Sequence, residues 1–350
     1  MRIHRNIKYK PKPISRFLLL MMLSIMVART IQAQDIHFSQ YYTTSLFINP
    51  ANTGIYNGNI RFANNYRNQW SKLGTPINTY FSAFDTKLKL FKQNIGIGGL
   101  IIHDQSSVYG LTTDEFKISV SYSRFINNQQ FTIGFQPGFS FKKYDEDGLT
   151  FGSQFNDINN IFDSDLSSME YGLTGNTGYF DMNVGIGWRT FIHNIMPSAG
   201  FSVSHVLKPR VTFTNTSVNT CLERKYMFNG QVIIPVKQNY DLIPGFLYSA
   251  VSGANELLIG ATGGYRPDDI LIPVKKLYIT AMLRSNLFSN VDAVILGVGA
   301  RFPTFDLGFS YDFNISTLHH VSNYNGAFEI SIVFTGSAKN TISTAPCMIY

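Results

Sequence analysis

The chain of 350 residues is poor in charge, because only 15% of its residues are Asp, Glu, Lys or Arg, against about a quarter in an ordinary soluble domain. Its formal net charge of +7 would favour nucleic acid or anionic lipid as a partner. However, the first 33 residues hold seven of the 29 Lys and Arg residues and none of the 22 Asp and Glu residues, so the rest of the chain is neutral. This distribution excludes the charge-based argument for a nucleic-acid partner.

Residues 1–33 have the pattern of a secretory signal peptide. Six Lys or Arg residues in the first sixteen positions precede an apolar run at 17–28, and Ile31-Gln32-Ala33 follows as a cleavage site. The alternative is an uncleaved inner-membrane anchor, but the run is shorter than the roughly twenty residues that a spanning helix needs, and Arg29 interrupts it. We therefore expect export and a mature protein that begins at Gln34.

The segment 34–57 precedes the first predicted strand and mixes aromatic with polar residues. Such a segment either extends into the periplasm or enters a barrel as a plug. The sequence leaves both possibilities open.

Residues 58–335 are dominated by a period of two. In the clearest stretch, 305–315, every odd position is apolar and every even position is polar or Gly. Alternation this strict predicts β-strands that have one face in an apolar and the other in a polar environment. Fourteen strands are predicted, near residues 59–68, 78–87, 94–106, 113–126, 130–144, 179–192, 196–206, 225–236, 240–252, 255–266, 274–288, 293–302, 305–315 and 326–335.

The spacing of these strands separates a membrane barrel from a soluble β-sandwich. Sandwich strands recur every 8 to 12 residues or so, whereas an interval of about twenty suits strands of nine or more tilted residues that cross a bilayer. We therefore predict an all-β fold, a transmembrane up-and-down antiparallel β-barrel of about 14 strands in the bacterial outer membrane. Residues 336–350 are then a periplasmic tail.

The lengths of the connections give an independent indication of topology. Bacterial barrels have short periplasmic turns and longer outer loops. If the first strand runs outward, the short turns at 127–129, 193–195, 237–239 and 303–304 are periplasmic, and the long connections 145–178, 207–224 and 316–325 are outside. The tight outer turn at 253–254 and the longer periplasmic connection 267–273 break the pattern.

Charges of both signs lie on the polar face of the predicted strands. A barrel of this size encloses an open pore, or it is closed by an inserted segment and by ion pairs across the lumen. The predicted lumen charges are Asp181, Arg189, Arg266, Arg284, Arg301, Asp306, Asp312 and Glu329.

The sequence contains no nucleophile elbow, zinc-binding helix, phosphate-binding loop or redox Cys pair. The glycine-rich stretches 96–99 and 185–187 lie within predicted strands, where close packing or a bend explains them better than a phosphate site, which must open a helix. Ser204-His205 is the only hint of a hydrolase. We expect neither an enzyme nor a cofactor.

Two predicted outer loops contain side chains of the kinds that bind metals. His319-His320 lacks a third ligand nearby, and the acidic loop 145–178 lacks the spacing of a calcium-binding loop. Both are better explained as solvated loops, so we expect no metal. Cys221 and Cys347 fall on opposite sides of the membrane in this topology, which predicts no disulfide.

Short motifs near both ends of the mature chain identify a family. They are Phe38-Ser39-Gln40-Tyr41, Asn49-Pro50-Ala51 with Gly54, Tyr66-Arg67-Asn68-Gln69-Trp70 before Pro76, Ser310-Tyr311-Asp312, and Gly326-Ala327-Phe328-Glu329-Ile330-Ser331. With them the chain resembles the PorP/SprF family of type IX secretion system outer-membrane proteins from Bacteroidetes. It departs from the family at Asn52-Thr53, where Tyr-Ala is common, and in its ending, which lacks the Arg of the usual Cys-Pro-Arg-aromatic tail.

The resemblance implies a component of the type IX system that supports export or surface attachment of secreted cargo, such as gliding adhesins, by protein–protein binding. It implies as partners periplasmic secretion components, including a peptidoglycan-binding protein, and the cargo itself. The alternative, which the lumen charges favour slightly, is a diffusion channel for small solutes. The candidate partner contacts are Phe38, Ser39, Gln40, Tyr41, Asn49, Pro50, Ala51, Gly54, Tyr66, Arg67, Asn68, Gln69 and Trp70.

Overall fold

The computed structural model of the protein describes residues 36–336, except for 74–75, 91–92, 107–109, 145–151, 157–158, 160, 164, 167–174, 214–220, 269–272, 287–290 and 317–323. The predicted signal peptide, His319-His320, most of the acidic loop and nearly all of the predicted tail therefore lie outside the described residues. Within the part of the chain that is described, no helix is long and apolar enough to cross a membrane.

Fourteen antiparallel strands form a closed barrel in which each strand pairs with its neighbours in the chain. The predicted fold and strand number are confirmed, and predicted strand ends differ from the observed ones by at most three residues. The strands are β1 Ile60–Gln69, β2 Ile77–Leu90, β3 Gln93–Ser106, β4 Leu111–Ile126, β5 Gln129–Lys143, β6 Asn176–Thr190, β7 Met196–Ser204, β8 Lys225–Lys237, β9 Tyr240–Val251, β10 Ala254–Tyr265, β11 Lys276–Ser285, β12 Val291–Arg301, β13 Phe305–Asn314 and β14 Asn325–Gly336.

The barrel closes where the first strand meets the last. β1 pairs with β14 over its whole length, from Ile60 opposite Gly336 to Gln69 opposite Ala327. Full pairing leaves neither strand with a free edge, as a barrel in lipid requires, because unpaired backbone groups are costly there. We call this junction of β1 and β14 the seam.

The two faces of the wall have opposite character. Large apolar side chains cover the exterior, as Phe309 and Ile279 illustrate with exposures of 45% and 67%, whereas Asp312 and Glu329 on the interior are fully buried. An apolar surface of this extent is stable in lipid and not in water. Aromatic pairs lie near both ends of the barrel, Tyr66 with Tyr80 and Tyr240 with Tyr265, where aromatic girdles are expected at the membrane interfaces.

Short and long connections lie at opposite ends of the barrel, as predicted. Tight turns join β4 to β5 and β8 to β9, whereas long connections follow β5 and β7. The two predicted exceptions are also present, at Ser252-Gly253 and at 266–275. The connection after β5 contains a small hairpin of Phe155–Asn156 and Ile161–Phe162. We call the two ends the short-turn end and the long-loop end.

Residues 36–57 lie inside the barrel, and we call them the plug. The plug contains a short helix α1, Ser45–Ile48, and a 3-10 turn, Pro50–Asn52. One apolar cluster packs Phe38 and Leu46 against β1, β2 and β3, and a second packs Tyr41 and Ile48 against β8 to β12. The sequence left open whether this segment extends into the periplasm or enters the barrel. In the structure it lies in the lumen and contacts two different sides of the wall.

Candidate functional site

A network of buried charges joins the plug to both sides of the seam. Arg67 of β1 places Nη1 2.6 Å from Oε1 of Glu329 on β14 and Nη2 3.1 Å from Oδ2 of Asp312 on β13. Arg284 of β11 adds a second guanidinium, 2.8 Å from the same Asp312 oxygen. The two cations and two anions balance, and all four side chains are nearly inaccessible to solvent.

The plug completes this network through its backbone and one hydroxyl. The N–H groups of Ser39 and Gln40 donate to the two carboxylate oxygens of Glu329, at 2.5 and 2.8 Å. The Ser39 hydroxyl donates to Oδ2 of Asp312 at 2.7 Å and accepts from Nη1 of Arg67 at 2.9 Å. Each carboxylate therefore has charged and neutral donors, which a buried charge requires.

The Gln40 side chain extends the network along β13 and β14. Its Nε2 donates to the Ser310 hydroxyl and to the backbone carbonyl of Glu329, both at 3.1 Å, and its Oε1 accepts from the Ser331 hydroxyl at 2.6 Å. The residues that carried the family resemblance at the two ends of the sequence thus meet at one place. These motifs form an intramolecular contact between the plug and the seam.

Asn49-Pro50-Ala51 packs against the part of the wall formed by β5 and β6. Asn49 Nδ2 donates to the Ile186 carbonyl at 2.9 Å, and its Oδ1 accepts from the Ala51 N–H at 2.8 Å. A methyl group on Gly134 of β5 would lie 2.2 Å from the Pro50 carbonyl carbon, and one on Gly185 of β6 would lie 2.0 Å from Asn49 Oδ1. Only glycine allows this approach.

The predicted role of the glycine-rich strand stretches in close packing is confirmed at β3 and β6. Gly96 meets the plug as Gly185 does, because a methyl group there would lie 2.2 Å from the Thr53 carbonyl oxygen. The Thr53 hydroxyl also lies 2.6 Å from the Ser119 hydroxyl of β4. Glycine therefore occupies the wall positions that the plug contacts most closely, where there is no room for a side chain.

A second buried ion pair holds the end of the plug. Arg61 of β1 donates from Nε and Nη2 to the two oxygens of Asp85 on β2, at 2.8 and 2.9 Å. The same carboxylate accepts from the Gly54 N–H at 2.7 Å, and Gly54 has a φ of 72° that favours glycine. Burial raises the pKa of the Tyr56 phenol, and the Asp85 charge adds to the shift. The single phenol hydrogen is shared between the Asp85 and Asn59 carbonyls, at 2.8 and 2.7 Å.

The other predicted lumen charges form separate groups. Arg266 contacts Asp241, and Lys276 Nζ lies 2.7 Å from the same carboxylate. Arg301 Nε lies 2.6 Å from Asp306 Oδ2. All of these lie toward the short-turn end.

At the long-loop end, the fully buried Asp181 accepts a hydrogen bond from His205 Nδ1 at 2.8 Å, and Lys117 Nζ lies 3.6 Å from the same carboxylate oxygen. Arg189 is also buried, near the short-turn end of β6. His205, which with Ser204 is the only hint of a hydrolase in the sequence, therefore belongs to a cluster with Asp181 and Lys117.

Several lumen charges were missed by sequence reasoning: Arg61, Asp85, Glu115, Lys117, Asp241 and Lys276. Each lies on the lumen face of a predicted strand, and the alternation of that strand was the available signal, although it is weak at Asp85. Arg67 is a further lumen charge, which the sequence indicates as a motif residue and not as a lumen charge.

The motif residues at the end of β1 lie near the long-loop end. Tyr66 donates to Asn78 Oδ1 at 2.9 Å on the exterior, and Asn68 donates to the same oxygen at 2.7 Å. Gln69 and Trp70 are half-buried, and Trp70 has a φ of 60° just after the strand. Contact of the motif residues with a partner stays a prediction, and the contacts seen for most of them are within the chain.

Among the described residues, no group of three or more His, Cys, Asp or Glu side chains is arranged to hold a metal ion. The acidic loop lies largely outside these residues, as does His319-His320. Cys221 is an exposed free thiol, and Cys347 is outside the described part of the chain, so the expectation of no disulfide stays a prediction.

A family described as type IX secretion system membrane protein PorP/SprF matches residues 30–334. The chain belongs to this family. The PorP/SprF match begins within the predicted signal segment and ends in β14, so it includes the plug and every strand of the barrel. With its closed, externally apolar wall, this family member is an integral protein of the outer membrane. No curated protein matches the chain.

This PorP/SprF member is similar to several solved structures, among them the following three. The toluene transporter TbuX of Ralstonia pickettii has 9% identity and a TM-score of 0.45, over 83% of this chain and 91% of TbuX. The toluene transporter TodX of Pseudomonas putida has 7% identity and a TM-score of 0.47, over 85% and 93% of the two chains. BamA of Haemophilus ducreyi lacking POTRA domains 1-3 has 9% identity and a TM-score of 0.42, over 80% and 70%.

Proposed function

We propose that this PorP/SprF barrel supports export or surface attachment of secreted cargo, such as gliding adhesins, by binding other proteins. The observation that carries the proposal is the plug. Its two apolar clusters and its charge network reach opposite walls, and Phe38, Ser39, Gln40 and Asn49 are all at most 1% exposed. A barrel filled in this way is a rigid platform whose two ends remain free for protein contacts.

Periplasmic secretion components, including a peptidoglycan-binding protein, and the secreted cargo are the partners that we propose. The family description supports a place in the type IX system. The long connections after β5 and β7 support an outer contact surface, because loops on a rigid scaffold commonly bind partners. We propose the predicted tail as a second contact surface, because β14 ends at Gly336 at the short-turn end.

The second candidate is a diffusion channel for small solutes, which the charged lumen favours. Lumen charges in an open pore face water, however, whereas Arg67, Asp312 and Glu329 here are engaged with one another and with the plug. Conduction would therefore require the plug to move and the network to break.

The first experiment is a mild-detergent purification of a tagged copy from its own outer membrane, followed by mass spectrometry of the proteins that remain bound. An equally tagged porin from the same membrane is the control. Specific recovery of type IX periplasmic components or of a very large secreted protein is the expected result. A barrel recovered alone that conducts ions in planar bilayers would instead indicate the channel.

Deletion of the gene separates the two functions in the cell. We expect loss of export or surface display of a cargo, with solute uptake unchanged. Intact export with impaired uptake would contradict the proposed function.

A further inference from the structure

A cavity of about 470 Å³ lies between the plug and the wall formed by β8 to β14 and β1. It begins mid-barrel near Tyr41 and Met282 and extends to Phe302 and Pro303 in the turn between β12 and β13. That turn lies at the short-turn end, so the cavity is placed to receive a ligand from the periplasm. Tyr41, Tyr56 and Arg61 line this space as well as taking part in the plug contacts described above.

The charged groups around the cavity are mostly basic. Five of its 22 lining residues are cations and one is an acid, Asp306. The five cations are Arg61, Arg266, Lys275, Lys276 and Arg301. Asp85, Asp241 and Asp306 are their ion-pair partners, so two positive charges are left over.

Lys275 is the cation best placed to meet a ligand. It is exposed, and its ammonium group has no ion-pair partner among the described residues. Arg266 and Arg301 keep 30% and 22% of their side chains accessible while they pair with acids. Their free N–H groups can therefore bind a further carboxylate.

Most of the remaining lining is aromatic or aliphatic, with five neutral polar residues among it. Four tyrosines face the cavity, and Phe302 and Phe305 stack on each other at its mouth, with ring centroids 4.4 Å apart. Tyr278 donates to Asp306 Oδ1 at 2.7 Å, which fixes its ring in the wall. A largely apolar cavity with a few oriented charges is typical of a binding site.

We propose that this cavity binds an acidic, aromatic-containing peptide segment of a periplasmic partner protein. This inference rests on the proposed function and specifies the chemistry of one contact. The excess positive charge selects carboxylates, and the tyrosine-lined interior accepts an apolar side chain. The volume is sufficient for a few residues of an extended segment and too small for a folded domain.

The test is fluorescence anisotropy with the full-length barrel in detergent and a labelled peptide of sequence Asp-Phe-Glu-Leu-Asp-Phe with a free carboxyl terminus. The control peptide is Asn-Phe-Gln-Leu-Asn-Phe with an amidated terminus, which has the same shape and no charge. We expect binding of the acidic peptide only. Equal binding of both peptides, or of neither, would overturn the proposal.

Reversing the charge of one lysine tests whether the peptide binds in the cavity. Lys275→Glu should weaken binding of the acidic peptide about tenfold or more, because it adds a like charge beside the carboxylates. Lys237→Glu is the matched control, since Lys237 is an exposed lysine at the same end that does not line the cavity. Equal losses in both variants would mean that only the general charge of the rim matters, and would overturn the site.

The chain's own tail is the competing occupant, because it follows Gly336 at the same end of the barrel. If the acidic peptide binds only after residues 337–350 are deleted, the cavity belongs to the tail and the proposal for a partner fails. Failure of peptide binding with type IX components still recovered in the purification would overturn this inference alone. Peptide binding with cargo export intact in the deletion strain would overturn the proposed function alone.

Discussion

Arg67 and Glu329 lie directly opposite each other across the seam, and their side chains pair on the lumen face with Nη1 and Oε1 2.6 Å apart. Glu329 also accepts the backbone N–H groups of Ser39 and Gln40. One carboxylate therefore holds the first strand, the last strand and the plug. Because the pair is excluded from solvent, salt does not screen it as it screens a surface pair.

Replacement of Arg67 should strongly destabilise the barrel. Arg67→Met leaves Glu329 with a buried negative charge, and we expect a loss of about 3–5 kcal/mol in the free energy of unfolding. Arg67→Lys should lie between this variant and the parent, because an ammonium group cannot reach both carboxylates in the fixed geometry of a guanidinium. Denaturant unfolding in detergent, followed by circular dichroism, measures both. An Arg67→Met barrel as stable as the parent would contradict the assigned role.

The double variant Arg67→Met with Glu329→Gln should be less destabilised than the sum of the two single variants. It removes one cation and one anion, so the pair of Arg284 and Asp312 remains balanced. Buried partners typically couple by about 0.5–3 kcal/mol in such a cycle. The same unfolding measurement gives the coupling, and strict additivity would show that the two side chains act independently.

Gly134→Ala should displace the plug, since the added methyl would lie 2.2 Å from the Pro50 carbonyl carbon. Gly263→Ala is the matched control, because a methyl group there meets no atom within 4 Å. We expect faster protease cleavage within 36–57 and lower unfolding stability for Gly134→Ala only, by about 1–3 kcal/mol. Similar behaviour of the two variants would mean that the plug does not depend on this contact.

A disulfide between plug and wall should leave cargo export unchanged. Thr53→Cys with Ser119→Cys places two thiols where the hydroxyls are 2.6 Å apart. Cys221→Ser and Cys347→Ser in the same chain prevent other pairings, and each single Cys variant is a control. Export assays and planar-bilayer conductance with and without reductant test it. Conductance or export that appears only after reduction would show that the plug moves during function.

The barrel could be predicted from the sequence because each strand has one face toward lipid and the other toward the lumen. At β13 the odd positions face lipid and the even positions face the lumen, so alternation alone fixed the strand and its phase. The interior of β2 is different: Phe81 and Ala83 are buried against Phe38 of the plug while Phe84 faces lipid. Both faces are apolar there, so the phase signal that marks Asp85 as a lumen charge is weak.

The partners of the lumen charges could not be predicted from the sequence. Glu329 was placed on the lumen face, but the interior of a barrel brings every strand within reach of a central segment, and Ser39 lies 290 positions away in the chain. The sequence of a motif also does not distinguish contact with a partner protein from contact with the motif's own barrel. Prediction of the site therefore required knowledge of where the plug lies, and the sequence left that open.

The charge balance of the network at the seam depends on the presence of the last strand. Glu329 follows Arg67 by 262 positions, so a barrel without β14 would hold Arg67 and Arg284 with only Asp312 to compensate them. A chain that stops before β14 would keep open edges on β1 and β13 and an excess cation in its core. Addition of β14 removes both defects together, because this strand pairs with β1 and with β13 and also supplies Glu329.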